Sequence, residues 1–141
     1  MDFSVKTGRP EKQRTGCLIV AVHEDRKLSA TARDVDKAAD GVIGRVLASG
    51  DLKGAPGETL LLQAPAGLAC DRLLLVGCGK AGQTGEPDFR KAADAALAVA
   101  AGTKARDALC CLTEVAVGER DAAWKARQVA AAAGRAVYRF N

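Results

Sequence analysis

Aromatic residues are scarce in this chain of 141: three Phe, one Tyr and one Trp. Single-stranded nucleic acid is held by repeated aromatic platforms, so that class of partner is excluded. His23 is the only histidine, and no Cys-x-x-Cys occurs. A closed zinc site needs four converging ligands, so the sequence argues against a metal site within this chain. The five cysteines (Cys17, Cys70, Cys78, Cys110 and Cys111) are odd in number and lack paired spacing. That pattern excludes a disulfide framework and suits buried thiols in a reducing compartment. Long apolar runs are missing as well. Ala95–Ala101 falls far short of the roughly 20 residues a membrane span needs, and MDFSVK carries no apolar stretch of a secretory signal. A cytoplasmic protein that does not cross a membrane is expected.

What remains is a globular composition, 48% hydrophobic and 27% charged. The length suits one domain, 1–141, able to bury a core without metals or disulfides. Net charge is +4. The basic excess sits at the ends: Lys6–Arg14 carries four cations against Glu11, and Arg120–Arg139 carries five against Asp121. The stretch between them is net acidic.

Apolar patterning orders the elements as β-β-α-α-β-β-α-β-α. Phe3–Val5 reads as a short strand broken by Gly8-Arg-Pro10. Cys17–Val22 is an unbroken, β-branched apolar run, which suits a strand covered on both faces. Leu28, Ala32, Val35 and Ala39 share a helical face behind Ser29 as N-cap. Gly41 separates a second helix, which Gly50 ends. Thr59–Leu62 and Leu73–Val76 flank Pro65-Ala-Gly67 closely enough for an antiparallel hairpin. Pro87 opens a helix whose face is Phe89, Ala92, Ala93, Ala96, Leu97 and Ala100. Ala108–Leu112 is a buried strand, with Cys110 and Cys111 on opposite faces. A last helix from about Arg120 to Tyr138 places Ala123, Ala126, Ala130, Ala133 and Val137 inward. The expected fold is three-layer α/β/α with a mixed sheet.

The loop Gly77-x-Gly79-x-x-Gly82 has the glycine spacing of a dinucleotide fingerprint. That chemistry also needs a helix beginning at once and an acid about 20 residues on. Gln83–Asp88 delays the helix, and Glu114 lies too far along. Two readings stand: a tight strand exit with Lys80 in solvent, or a phosphate loop of Gly77, Gly79, Lys80 and Gly82. His23 at a strand end could pair with a thiol, but a structural histidine is the plainer reading. Trp124 and Phe89 read as packing residues. Arg120, Lys125, Arg127, Arg135 and Arg139 form a basic helix surface, either a solvated face or a contact for DNA phosphates.

Several stretches, in order, carry a resemblance. They are Phe3-Ser-Val-Lys6 with Pro10–Arg14, Pro56-Gly-x-Thr59-Leu-Leu-Leu62, Leu73–Lys80, Cys111-Leu-Thr-Glu114 and Trp124-Lys-x-Arg-Gln128. Over nearly its whole length the chain resembles the N-terminal domain of the bacterial leucyl (cytosol) aminopeptidases, especially the aminopeptidase A branch. The resemblance implies a small α/β domain, macro-domain-like in fold. Its parent enzyme would release N-terminal residues, preferentially leucine, from peptides. In that family two divalent metals, zinc or manganese, lie in a C-terminal catalytic domain. The family's Asn-Thr-Asp-Ala-Glu-Gly-Arg segment is absent here, so no catalytic residue is carried onto this chain. The implied partners are the catalytic domain, the other subunits of a homo-hexamer, and double-stranded DNA. The implied roles are assembly and control of access to the active sites. The chain thus reads as one domain of a longer enzyme. The alternatives are a stand-alone nucleotide or ADP-ribose module using the Gly77–Gly82 loop, and an enzyme acting through a Cys thiolate.

Overall fold

A computed structural model describes residues 2–5 and 9–140, with the side chains of Val5, Arg139 and Phe140 outside the description. Lys6 and Gly8 also lie outside the described residues. The strands are β1 (Asp2–Val5), β2 (Cys17–Val22), β3 (Thr59–Gln63), β4 (Arg72–Gly77) and β5 (Asp107–Cys110). The helices are α1 (Ala30–Ala38), α2 (Val42–Ser49), α3 (Glu86–Ala101) and α4 (Ala122–Phe140). Short 3₁₀ turns cover Pro10–Lys12 and Leu112–Glu114.

One five-stranded sheet runs in the order β1-β5-β2-β4-β3. All its pairings are parallel except β3–β4, the antiparallel hairpin that the short Pro/Gly gap predicted. The sheet is mixed, and helices cover both sides. Strand alternation sorts the core into two halves. Cys17, Ile19, Leu74, Val76, Ala108 and Cys110 meet α3 and α4. Leu18, Val20, Leu73, Leu75, Leu109 and Cys111 meet α1 and α2. Every residue of β2 is buried, which explains its continuous apolar run.

Local signals account for the helix ends. The Ser29 hydroxyl accepts the Ala32 amide at 3.1 Å and caps α1. Gly41 and Gly50 take left-handed backbone at the two ends of α2. The α3 face read from the sequence is the one buried: Phe89, Ala92, Ala93, Ala96, Leu97 and Ala100.

Helix α4 is rotated from its expected phase. Trp124, Val129, Ala132, Ala133 and Ala136 are buried, whereas Ala123 and Ala130 are exposed. Alanine is abundant all round this helix, so alanine spacing does not choose a face. The large side chains choose it. Trp124 packs on Phe89 with ring centroids 5.8 Å apart, and Val129 follows it into the core.

Candidate functional site

In an α/β sheet the crevice outside the carboxyl ends of the strands, where the strand order switches, is the ordinary place for a ligand. Here β2 is the switch strand. It pairs in parallel with β4 on one side and with β5 on the other. His23, Gly77–Gly82 and Cys111–Glu114 leave the sheet at that edge.

The glycine loop is knitted into its neighbours. The Gly77 amide donates to Glu58 O at 2.7 Å, that of Cys78 to Val22 O at 3.0 Å and that of Gly79 to Gly54 O at 2.9 Å. The Gly79 carbonyl accepts Glu24 N at 3.2 Å. A further amide, that of Ala81, donates to the Asp25 carboxylate. Burial opposes ionisation of Asp25, but the amides of Lys27 and Ala81 hold its carboxyl below the ordinary range. The chain's own carboxylate thus sits where an external anion would be received, and a phosphate would have to displace it. Gly77 answers to close packing: a Cβ there would fall 2.1 Å from Ala55 O. Gly79 and Gly82 take positive φ, both +79°.

The loop at 53–57 that crowds Gly77 is fixed by Glu58. Its Oε1 accepts the amides of Lys53, Gly54 and Ala55 at 3.0, 2.9 and 3.2 Å. Sequence reading missed this carboxylate, because the amides it gathers belong to an irregular loop with no motif.

His23 is buried, and its Nδ1 lies 2.9 Å from the Gly79 carbonyl oxygen. A carbonyl only accepts, so Nδ1 carries the proton and donates to it. The ring lines a cavity of about 270 Å³ with Lys27, Leu28, Ser29, Gly82, Glu114 and Val115. Glu114 accepts from Ser29 Oγ at 3.3 Å and Thr31 Oγ1 at 2.5 Å. A larger, open cleft of about 710 Å³ lies between Gly82–Glu86 and Val117–Arg120. No thiol lines either space.

The basic residues of α4 and of the segment just before it are largely engaged. Arg120 meets Glu86 at 3.2 Å and lies 5.3 Å over the Trp124 ring. Lys125 Nζ donates to Val115 O at 2.9 Å. Arg135 meets Asp94 at 2.6 Å. Arg127 is exposed and forms no ion pair among the described residues. The Arg139 side chain lies outside the described residues. Glu86 and Asp94 both belong to α3, so partners 34 and 41 residues away hold Arg120 and Arg135. Any phosphate contact would compete with them.

All five thiols are free and buried. Burial pushes Cys78, Cys110 and Cys17 up to about 12 and Cys70 to about 11, and the neighbouring thiols add to it, Cys110 acting on Cys78, Cys17 on Cys110 and Cys70 on Cys17. Protonated thiols are poor nucleophiles, which disfavours chemistry through a thiolate. Stability should respond at alkaline pH. A folded-state pKa above the unfolded value gives stability that is complete below about pH 9 and lost as pH rises toward 12. Cys78 and Cys110 should each steepen that loss by up to about 1.4 kcal/mol per pH unit. Denaturant midpoints at pH 8, 9 and 10 measure it. The double variant Cys78→Ala, Cys110→Ala should show a clearly shallower decline, and an unchanged decline would assign the effect elsewhere.

Among the described residues, no three His, Cys, Asp or Glu side chains converge as a metal site. The donor set therefore does not fit a dinuclear centre. No described helix is long and apolar enough to cross a membrane.

The family model for the cytosol aminopeptidase family, N-terminal domain, matches residues 19–141. The whole chain is 44% identical to the probable cytosol aminopeptidase of Vibrio parahaemolyticus and 45% identical to that of Methylobacillus flagellatus. It is 43% identical to the cytosol aminopeptidase of Vibrio cholerae. It spans 28% of the length of each of these relatives. A mutant of tomato leucine aminopeptidase shares the fold, with a TM-score of 0.70 and 18% identity over 96% of this chain and 28% of that one. The bottromycin maturation enzyme BotP aligns with a TM-score of 0.60 and 25% identity, over 88% of this chain and 23% of its own. The chain belongs to the cytosol aminopeptidase family, as its N-terminal domain.

Proposed function

We propose that this chain is a non-catalytic accessory domain of a metal-dependent aminopeptidase. The parent enzyme releases N-terminal residues, preferentially leucine, using two divalent metals, zinc or manganese, held by a C-terminal catalytic domain. In a homo-hexamer this domain serves assembly and limits access to the active sites. Family membership over residues 19–141 carries the reading. Two features of the chain agree with it: the scattered placement of its carboxylates and imidazole, and thiols that burial keeps protonated. Hydrolysis of a peptide bond needs an activated water or nucleophile held by converging groups, and among the described residues no metal-binding cluster gathers to supply one.

The test compares this chain with the full-length protein on a leucyl chromogenic substrate, with manganese or zinc added. The full-length protein should turn over, and the chain alone should stay at the background rate. Metal-dependent leucine release by the purified chain would overturn the proposal.

DNA contact through α4 is a second reading, favoured by Arg127 and by the half-exposed guanidinium of Arg135. Phosphate contacts make affinity fall steeply with salt. Titrating duplex DNA at two salt concentrations, with Arg127→Glu and Arg135→Glu, examines this reading separately. Salt-dependent binding should drop at least tenfold in the double variant, and equal binding by both proteins would remove the reading.

A further inference from the structure

Strand β3 leaves the sheet with an unprotected edge. Its register against β4 runs without a bulge from Thr59↔Val76 to Gln63↔Arg72. The flanking bonds Gly77 N to Glu58 O and Ala64 N to Asp71 O fix which residues face β4. Even-numbered residues bond inward, so Thr59, Leu61 and Gln63 turn their N–H and C=O groups outward. Among the described residues nothing hydrogen-bonds these outward groups. Edge strands are ordinarily blunted by charge, proline or a bulge. Strand β3 has none of these, and its centre is Leu60-Leu61-Leu62, half-buried. The opposite edge, β1, is shorter and carries exposed Asp2.

The sequence of the strand indicates its occupant. Thr59-Leu60-Leu61-Leu62-Gln63 reads nearly the same in both directions about Leu61. In antiparallel pairing of two copies, Leu61 lies opposite Leu61, Leu60 opposite Leu62, and Thr59 opposite Gln63. Apolar meets apolar, uncharged polar meets uncharged polar, and no like charges oppose each other. We propose that β3 is a self-pairing edge. A second copy of this chain adds to it about a twofold axis at Leu61, joining two five-stranded sheets into one through about six main-chain hydrogen bonds. The pairing is isologous and closes as a dimer, so it satisfies the edge without propagating into a fibre. This surface is distinct from α4 and does not depend on the function proposed above.

Sedimentation of the purified chain over a range of concentrations tests the pairing. The wild-type chain should pass reversibly from monomer to dimer. Thr59→Lys with Gln63→Lys sets lysine opposite lysine across the twofold axis and should weaken the dimer at least tenfold. Thr59→Lys with Gln63→Glu sets lysine opposite glutamate and should restore it. Both positions are at least partly exposed, and thermal melts of each variant confirm that the monomer folds. Three results overturn the proposal: a chain that stays monomeric up to about 0.5 mM, weaker than a millimolar-class contact would allow; a dimer indifferent to the two lysines; and a dimer that the lysine–glutamate pair does not restore.

Discussion

Replacing Gly77 with alanine should cost about 3 kcal/mol or more of folding stability, although it adds one methyl group to the end of a strand. The new Cβ would lie 2.1 Å from Ala55 O and 2.5 Å from Gly54 C, both main-chain atoms. A side chain can turn away from such a clash, but a backbone cannot. Relief would require the loop at 53–57 to lift, and the three amides held by Glu58 would lift with it. Overpacking in a fitted interior costs roughly 1–3 kcal/mol when side chains can adjust, and more when they cannot. In a domain of this size the melting temperature should fall by at least about 10 °C. Gly82→Ala is the control. Gly82 has φ +79° but nothing within 4 Å of its would-be Cβ, so only the left-handed backbone is penalised, by about 1 kcal/mol. Urea denaturation of both variants decides the matter. Equal losses at the two positions would mean that backbone crowding is not why Gly77 is glycine.

The same contrast marks how far the sequence could be read. Periodicity exposed what depends on neighbours along the chain: the buried run of β2, the hairpin of β3 and β4, and the face of α3. It overstated the gap after the glycine loop, since α3 begins at Glu86 and only Gln83–Gly85 precede it, not Gln83–Asp88. It could not reveal that Asp25, from the loop after β2, offers its carboxylate to Ala81, since that contact spans two strand exits. The partners of Arg120 and Arg135 were hidden for the same reason, as they belong to α3 and not to α4. The rotation of α4 was misread because alanine satisfies an inner and an outer position almost equally. Each failure concerns a contact set by tertiary packing, where spacing along one element carries no information.

Phe89→Ala tests the packing that fixes that rotation, and it should be the most damaging truncation in the α3–α4 half of the core. Phe89 is fully buried and is among the largest side chains that are. Truncation to alanine at such a site typically costs 3–5 kcal/mol, from lost transfer energy and from the cavity left behind. The aromatic partnership with Trp124 adds to this, at about 0.5–1.5 kcal/mol. Trp124 is clamped from outside as well, with Arg90 at 5.5 Å and Arg120 at 5.3 Å from its ring and Glu86 joining the two guanidinium groups. It is the only tryptophan, so its fluorescence reports on this place alone. If Phe89 seats the start of α4, the variant should unfold at markedly lower urea, and its native emission should shift to the red as water reaches Trp124. Phe89→Leu should retain most of the stability by filling much of the space. A loss under about 1.5 kcal/mol in Phe89→Ala, below the range for a buried aromatic, would show that the ring does not seat the helix. The phase of α4 would then have to be set by Val129 and the alanines alone.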